Sequence, residues 1–223
     1  MRDAYDKLFE HIEKDLFFKN SIDDIIYIEM DKIDSNWDNL KKDVFGNNTI
    51  YIRGYGRDAQ KTKYFIALYK HLFGNEKIIK DATNNAQPTK LIKCHTNYCK
   101  KTKDGKNGKE LIRNYQISHL FGRTKNPLLF NCAWNIAYIP KYLDPFTGHE
   151  TQGEYSSEFK GLLLPVLKQK FDFYIKDYNQ LIEDKVLNKI DYSLKEVKKD
   201  FKMNNTEFKR FEQDAKNELA LIL

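Results

Sequence analysis

The chain has 223 residues, 41% of them hydrophobic and 14% aromatic, which supplies a sizeable core and excludes wholesale disorder. Its 38 Lys and Arg against 32 Asp and Glu leave a formal charge of +6, which favours a polyanionic partner such as nucleic acid. No apolar run reaches the roughly 18 residues of a membrane helix, the opening MRDAYDKLFEHIEKD is no signal peptide, and three cysteines argue against a disulfide scaffold, so a cytoplasmic protein without membrane contact is expected.

Leu8, Phe9, Ile12 and Leu16 recur at helical spacing and predict a first amphipathic helix within residues 1–20. The segment 22–33 is apolar without a clear period. Trp37 to Phe45 predicts a helix that Gly46-Asn47-Asn48 stops. Thr49-Ile50-Tyr51-Ile52-Arg53 is rich in β-formers and predicts a strand. After the turn residues RGYGRD, a helix runs from about Lys61 to Phe73 and ends at Gly74. From Asp81 to Gly108 the chain is polar and broken, and Pro88 with the run KKTKDGKNGK predicts an exposed loop or arm.

The centre predicts a strand at Tyr115–Ser118, a loop over Phe121–Lys125, a returning strand at Pro127–Phe130 and a helix from Asn131 to Ile139. The final third is mostly helical: Phe159–Ile182, Ser193–Phe201 and Thr206–Ile222, the last with Thr206 as N-cap. No internal repeat is present. The expectation is one compact α+β domain, divided along the chain into an N-terminal α/β region (1–80), a basic arm with the core of the site (81–155) and a helical region (156–223).

The stretch YQISHLFGRTKNPLLFNCAWNIAYIPKYLDPFTGH, residues 115–149, concentrates the chemistry. Phosphodiester hydrolysis needs a general base, a divalent cation on the scissile phosphate, and positive charge against the developing negative charge. Histidine suits the first task because its pKa lies near working pH. Ser118-His119 followed by Asn126-Pro-Leu-Leu-Phe-Asn-Cys-Ala-Trp-Asn135 resembles the HNH (ββα-metal) nucleases. The resemblance implies a ββα-metal hairpin-plus-helix core embedded in a mostly helical domain. It implies His119 as base, Asn126 as the clamp of the loop between strands, and Asn135 as ligand of Mg²⁺ or another divalent cation. Family members often carry an acidic residue or a second histidine before the catalytic one, where this chain has Ser118 as a weak ligand. Asp144 or His149 is left to join the metal site.

Three further readings stand beside this one. Asp144 with Glu158-Phe159-Lys160 resembles a PD-(D/E)xK nuclease site, in which the two acids hold Mg²⁺ and the lysine helps activate water. The same basic chain also suits a DNA-binding module without catalysis. Cys94-His95-Thr-Asn-Tyr-Cys99 contains zinc-ligand types, but C-x4-C is not the usual knuckle, so structural zinc is not expected.

For the grip on double-stranded DNA, the basic arm offers Lys100, Lys101 and Lys103 as phosphate contacts. Arg53-Gly-Tyr-Gly-Arg57 presents two arginines on a backbone that glycines let come close. Arg123 and Lys125 lie between His119 and Asn126 and are the candidates for holding the scissile phosphate. A small chain of this kind suits a type II restriction enzyme, which reads a palindrome as a homodimer because protein and DNA two-fold axes coincide.

Overall fold

The computed structural model describes residues 3–101, 108–147 and 153–223. In chain order the helices are α1 (Ala4–Phe9), α2 (Lys14–Ser21), α3 (Met30–Phe45), α4 (Thr62–Phe73), α5 (Ala86–Cys94), α6 (Pro127–Phe130), α7 (Glu154–Lys170), α8 (Asp172–Ile182), α9 (Ile190–Asp200) and α10 (Asn205–Glu218). The strands are β1 (Ile26–Tyr27), β2 (Ile50–Ile52), β3 (Ile78–Lys80), β4 (Tyr98–Cys99), β5 (Glu110–Leu111), β6 (Tyr115–His119) and β7 (Ile136–Pro140). The fold is α+β, with small sheets among many helices. No helix among the described residues is long and apolar enough to cross a membrane.

Contacts group the chain by space rather than by sequence, into two compact units of three stretches each. The first comprises Met1–Tyr27, Asn97–Ser118 and Ala137–Asp172; the second comprises Ile28–Thr96, His119–Ile136 and Phe173–Leu223.

The first unit contains a three-stranded sheet in the order β1-β7-β6. All five residues of β7 are buried, which is why Ile-Ala-Tyr-Ile-Pro reads as a continuous apolar run instead of an alternating one. Aromatics cluster in the same unit: Phe18 lies 5.1 Å from Phe146 and 5.3 Å from Phe159, ring centre to ring centre. The single N-terminal helix expected from sequence is broken into α1 and α2. The Glu13 carboxylate accepts the N–H groups of Asp15 and Leu16 and starts a new helix there. Leu8, Ile12 and Leu16, the expected buried stripe, are exposed, while Phe9, Phe17 and Phe18 make the ring contacts.

The second unit is built on a β2-α4-β3 crossover. Its two strands are parallel, with Ile50 opposite Ile78 and Ile52 opposite Lys80. Helix α4 buries Phe65, Leu68, Tyr69 and Leu72 at helical spacing, each worth roughly 1.5–3 kcal/mol of apolar burial. It stops at Gly74, whose φ of 69° is the left-handed conformation that glycine adopts without strain. Helix α3 buries Ile33, Trp37, Leu40 and Val44, and the Trp37 ring meets Trp134 edge-on at 5.7 Å.

Two central elements differ from expectation. Pro127–Phe130, expected as a strand, is the short helix α6: Asn126 caps it by accepting the Leu128 N–H at 2.9 Å, and Pro127 occupies the first helical position, where no amide is needed. Asn131–Ile139, expected as a helix, is a 3-10 turn at Ala133–Asn135 followed by β7. The β-formers Ile136, Tyr138 and Ile139 override the helical spacing once they are buried in mid-sheet.

Candidate functional site

Strand β6 ends at His119, where the chain enters the second unit, and β7 begins after Asn135. Main-chain hydrogen bonds join Asn114 to Lys141 and Leu120 to Asn135, each at 2.8 Å, so the two strands run antiparallel and enclose the loop 120–135 between them.

His119 is 5% exposed, and its Nε2 lies 2.8 Å from the carbonyl oxygen of Phe130, inside that loop. The imidazole stacks on the Phe130 ring at 5.4 Å with 14° between planes. A carbonyl only accepts, so the contact requires the proton on Nε2 and leaves Nδ1 as the basic atom of the neutral ring.

Asn135 is fully buried. Its Oδ1 accepts the Phe121 N–H at 2.8 Å, and its Nδ2 donates to the carbonyls of Gly122 at 3.2 Å and Leu129 at 2.9 Å. One carboxamide thereby ties both arms of the loop together. The clamp that the resemblance assigns to Asn126 is therefore Asn135. Asn135 does not fit a metal ligand, because its oxygen and both amide hydrogens are engaged inside the core. Asn126, also fully buried, caps α6 and donates from Nδ2 to the Tyr178 hydroxyl and the Glu218 carbonyl, each at 2.9 Å.

Arg123 and Lys125, expected on the scissile phosphate, are held within the unit instead. The Arg123 guanidinium donates to the carbonyls of Ala220 and Leu221. Lys125 pairs with Glu218, Nζ to Oε1 at 2.9 Å, while its own N–H donates to Oε2 of the same carboxylate at 2.9 Å. Its carbonyl accepts the Tyr69 hydroxyl at 2.7 Å. Glu218 and Tyr178, which sequence reasoning missed, are thus the outer anchors of the loop. They reside on α10 and α8, and no local pattern in the sequence links them to it. Burial, reinforced by the charge of Glu218, outweighs Arg123 and pushes the Tyr178 hydroxyl up to about 12.

The remaining candidates are dispersed. Ser118 is buried at the end of β6. Asp144 opens a 3-10 turn and accepts from the Gln116 side chain. Glu158 lies within α7, paired to Lys14 at 2.6 Å, and Lys160 is exposed. A PD-(D/E)xK site presents its acid and lysine on a strand, where residues two apart share a face. On α7 they stand about 200° apart at roughly 100° per residue, so Glu158 and Lys160 do not converge.

Cys94 is exposed at the end of α5, and Cys99 is buried with its Sγ 3.6 Å from the Lys101 carbonyl. Burial pushes the Cys132 thiol well up, which makes it a packing residue. Among the described residues no group of three or more His, Cys, Asp or Glu is placed to hold a metal ion. Lys100 and Lys101 are exposed after β4, and partial desolvation of the Lys100 ammonium, followed by the charge of Lys141, holds its pKa below the usual lysine range. Lys103 and His149 lie outside the described residues. Arg53 and Arg57 are both exposed, on the loop that follows β2.

The family model described as "Uncharacterised protein PM1201" matches residues 28–223. The chain is similar to a protein of Pasteurella multocida (strain Pm70) with that same description, 34% identical over 224 residues, covering 99% of this chain and 97% of that one. No solved structure matches the chain.

Proposed function

The chain belongs to the PM1201 family, and we propose that it is a DNA-cutting phosphodiester hydrolase in which His119 is the general base. The observation that carries this is the Nε2–Phe130 carbonyl contact at 2.8 Å. With the proton on Nε2, Nδ1 is the nitrogen that takes up a proton, as a base in this chemistry must. Asn135 supports it by holding the loop that carries Phe130 in one conformation, since its carboxamide bonds three main-chain groups of that loop. The substrate in this reading is duplex DNA, in keeping with the formal charge of +6. A homodimer on a palindrome, as in type II restriction enzymes, is the assembly proposed with it.

Hydrolysis of this kind calls for a divalent cation such as Mg²⁺. The residues do not fit one as expected: Asn135 is committed to the loop, and the described residues hold no cluster of donors. Proton transfer at His119 is therefore the step assigned to this chain.

Purified protein is incubated with plasmids of varied sequence in Mg²⁺ or in EDTA, beside the variants His119→Ala, His119→Gln and Glu158→Ala, with circular dichroism to confirm folding. Expected is a loss of cutting of at least 100-fold in both His119 variants, in line with general-base contributions of about 10²–10⁴, while the Mg²⁺ and EDTA arms decide whether a cation is required. Glu158→Ala should cut as the parent does. Wild-type cutting rates in a folded His119→Gln protein would refute the assignment. DNA retention with no cutting on any plasmid would point to the non-catalytic binding module instead.

A further inference from the structure

Removing Arg123 and Lys125 from the DNA-contacting set leaves the loop 120–135 without a cation of its own to meet a phosphate. The second unit supplies one by another route. Arg53 leaves the end of β2 and its main-chain N–H donates to the Thr124 carbonyl at 2.9 Å, in the middle of that loop. Its side chain is exposed and makes no ion pair or hydrogen bond among the described residues. Four residues on, the Arg57 side chain is 97% exposed, and among the described residues its one ion-pair partner is the exposed Asp58 at 3.9 Å.

The backbone between the two arginines is tied down. The Gly54 N–H donates to Asn84 Oδ1 at 2.8 Å, and the Tyr55 N–H to Thr62 Oγ1 at 2.9 Å. The Lys61 N–H donates to the Tyr55 carbonyl at 3.1 Å. The Tyr55 hydroxyl donates to Asp214 at 2.5 Å. A Cβ at Gly54 would stand 2.7 Å from Ala59 Cβ and 3.0 Å from Asn84 Oδ1, so the loop is closed against its neighbour. Asp58 and Ala59 hold positive φ of 52° and 58°, conformations that ordinary side chains avoid. Asp81, fully buried at the end of β3, does not compete for the arginines: its carboxylate accepts the N–H groups of Thr83, Ala86 and Gln87 at 2.8–3.0 Å.

Two exposed guanidiniums on a fixed backbone, at the carboxyl edge of a parallel β-α-β unit and bonded to the His119 loop, are suited to a regular array of phosphates. We infer that the Arg53–Arg57 loop is the duplex-DNA backbone grip of this protein, with Arg53 the cation next to the His119 loop. The inference rests on the nuclease reading for its substrate.

The test measures binding of a fluorescein-labelled mixed-sequence duplex by fluorescence anisotropy, with Ca²⁺ in place of Mg²⁺, across a salt series. It compares the parent, Arg53→Ala/Arg57→Ala, Arg53→Lys/Arg57→Lys and, as a generic surface-charge control, Lys209→Ala. The double alanine variant is expected to bind at least 10-fold more weakly and to lower the salt slope by about 1.8, at about 0.9 for each phosphate no longer neutralised. The lysine pair should recover part of the affinity, and Lys209→Ala should stay within about 2-fold of the parent. Parental affinity and slope in the double alanine variant, while the parent cuts plasmid in Mg²⁺, would overturn the inference and leave the nuclease reading standing. Arginine-dependent binding with no cutting would sustain the grip and overturn the nuclease. Absence of duplex binding by the parent would overturn both.

Discussion

Asn135→Asp separates the two roles open to this side chain, because they predict opposite signs. A metal ligand gains from the change: a carboxylate is a harder and more charged donor for Mg²⁺ than a carboxamide. A clamp loses from it. The Nδ2 bonds to the Gly122 and Leu129 carbonyls, at 3.2 and 2.9 Å, become contacts between oxygens, while only the Phe121 N–H still faces an acceptor. A buried Leu129 carbonyl and a part-buried Gly122 carbonyl left without this donor cost up to about 1–3 kcal/mol each, so ~4 kcal/mol is expected before any charge is buried. Burial without a cationic partner raises the pKa of the new carboxyl in the folded state, so the folded chain binds that proton more tightly than the unfolded one. Stability is then lost as pH rises, and the defect is larger at neutral than at acid pH. For a chain of this size ~4 kcal/mol corresponds to a fall in Tm of roughly 8–16 °C. Urea unfolding and thermal melts, each with and without Mg²⁺ and at two pH values, measure it. A variant as stable as the parent whose Tm rises further with Mg²⁺ would refute the clamp and restore Asn135 as a ligand.

Three other outcomes follow from the same contacts. Arg123→Ala is expected to cost about 2 kcal/mol through the missing bonds to the Ala220 and Leu221 carbonyls, with duplex affinity unchanged; urea unfolding beside anisotropy decides, and a drop in affinity at parental stability would return Arg123 to the DNA surface. The Tyr178 hydroxyl titrates at about 12 in the folded chain against 10.0 ordinarily, so its contribution is complete below pH 10 and lost as pH rises toward 12. The urea midpoint should fall across that window, and less steeply in Tyr178→Phe; equal slopes would rule out Tyr178 as a contributor. Asp81→Ala removes the acceptor of the Thr83, Ala86 and Gln87 N–H groups, the last two at the start of α5, with an expected cost of ~3 kcal/mol or more, read as faster hydrogen exchange at Ala86 and Gln87. Parental exchange at both amides would contradict the capping role.

Where local pattern and burial agree, the sequence was legible. Trp37 to Phe45 with Gly46, and Lys61 to Phe73 with Gly74, are amphipathic segments closed by a glycine, and α3 and α4 end at those glycines. Strand β2 follows from its β-formers, and the last helix begins within one residue of the expected cap, Asn204 replacing Thr206 as the residue that accepts from the chain. Legibility fails where partners are distant. Arg123 and Lys125 look like surface cations because the carbonyls of Ala220 and Leu221 and the carboxylate of Glu218 lie more than ninety positions along the chain. The N-terminal stripe fails for a related reason: aromatic packing among Phe9, Phe17, Phe18 and Phe146 decides which face is covered, and Leu16 yields to it.

The motif residues His119, Asn126 and Asn135 raise a sharper question, because all three are buried and hydrogen-bonded as a structural loop would require. Burial alone does not separate a core histidine from a base; both satisfy one ring nitrogen with a carbonyl. The distinction lies in what the surroundings hold constant. A core histidine needs a partner for its N–H, and any loop carbonyl within reach would do. A base needs Nε2 to keep that proton while Nδ1 gains and loses one, and so needs the carbonyl to stay in place through the reaction. Here the Phe130 carbonyl belongs to a helix capped by Asn126, whose Nδ2 is anchored on Tyr178 and the Glu218 main chain. The preceding residue, Leu129, gives its carbonyl to Asn135. Two asparagines and the carboxyl-terminal helix thus fix one acceptor opposite one imidazole nitrogen. Such fixation exceeds what satisfying a single N–H demands, and it is the physical ground on which His119 is proposed as the base.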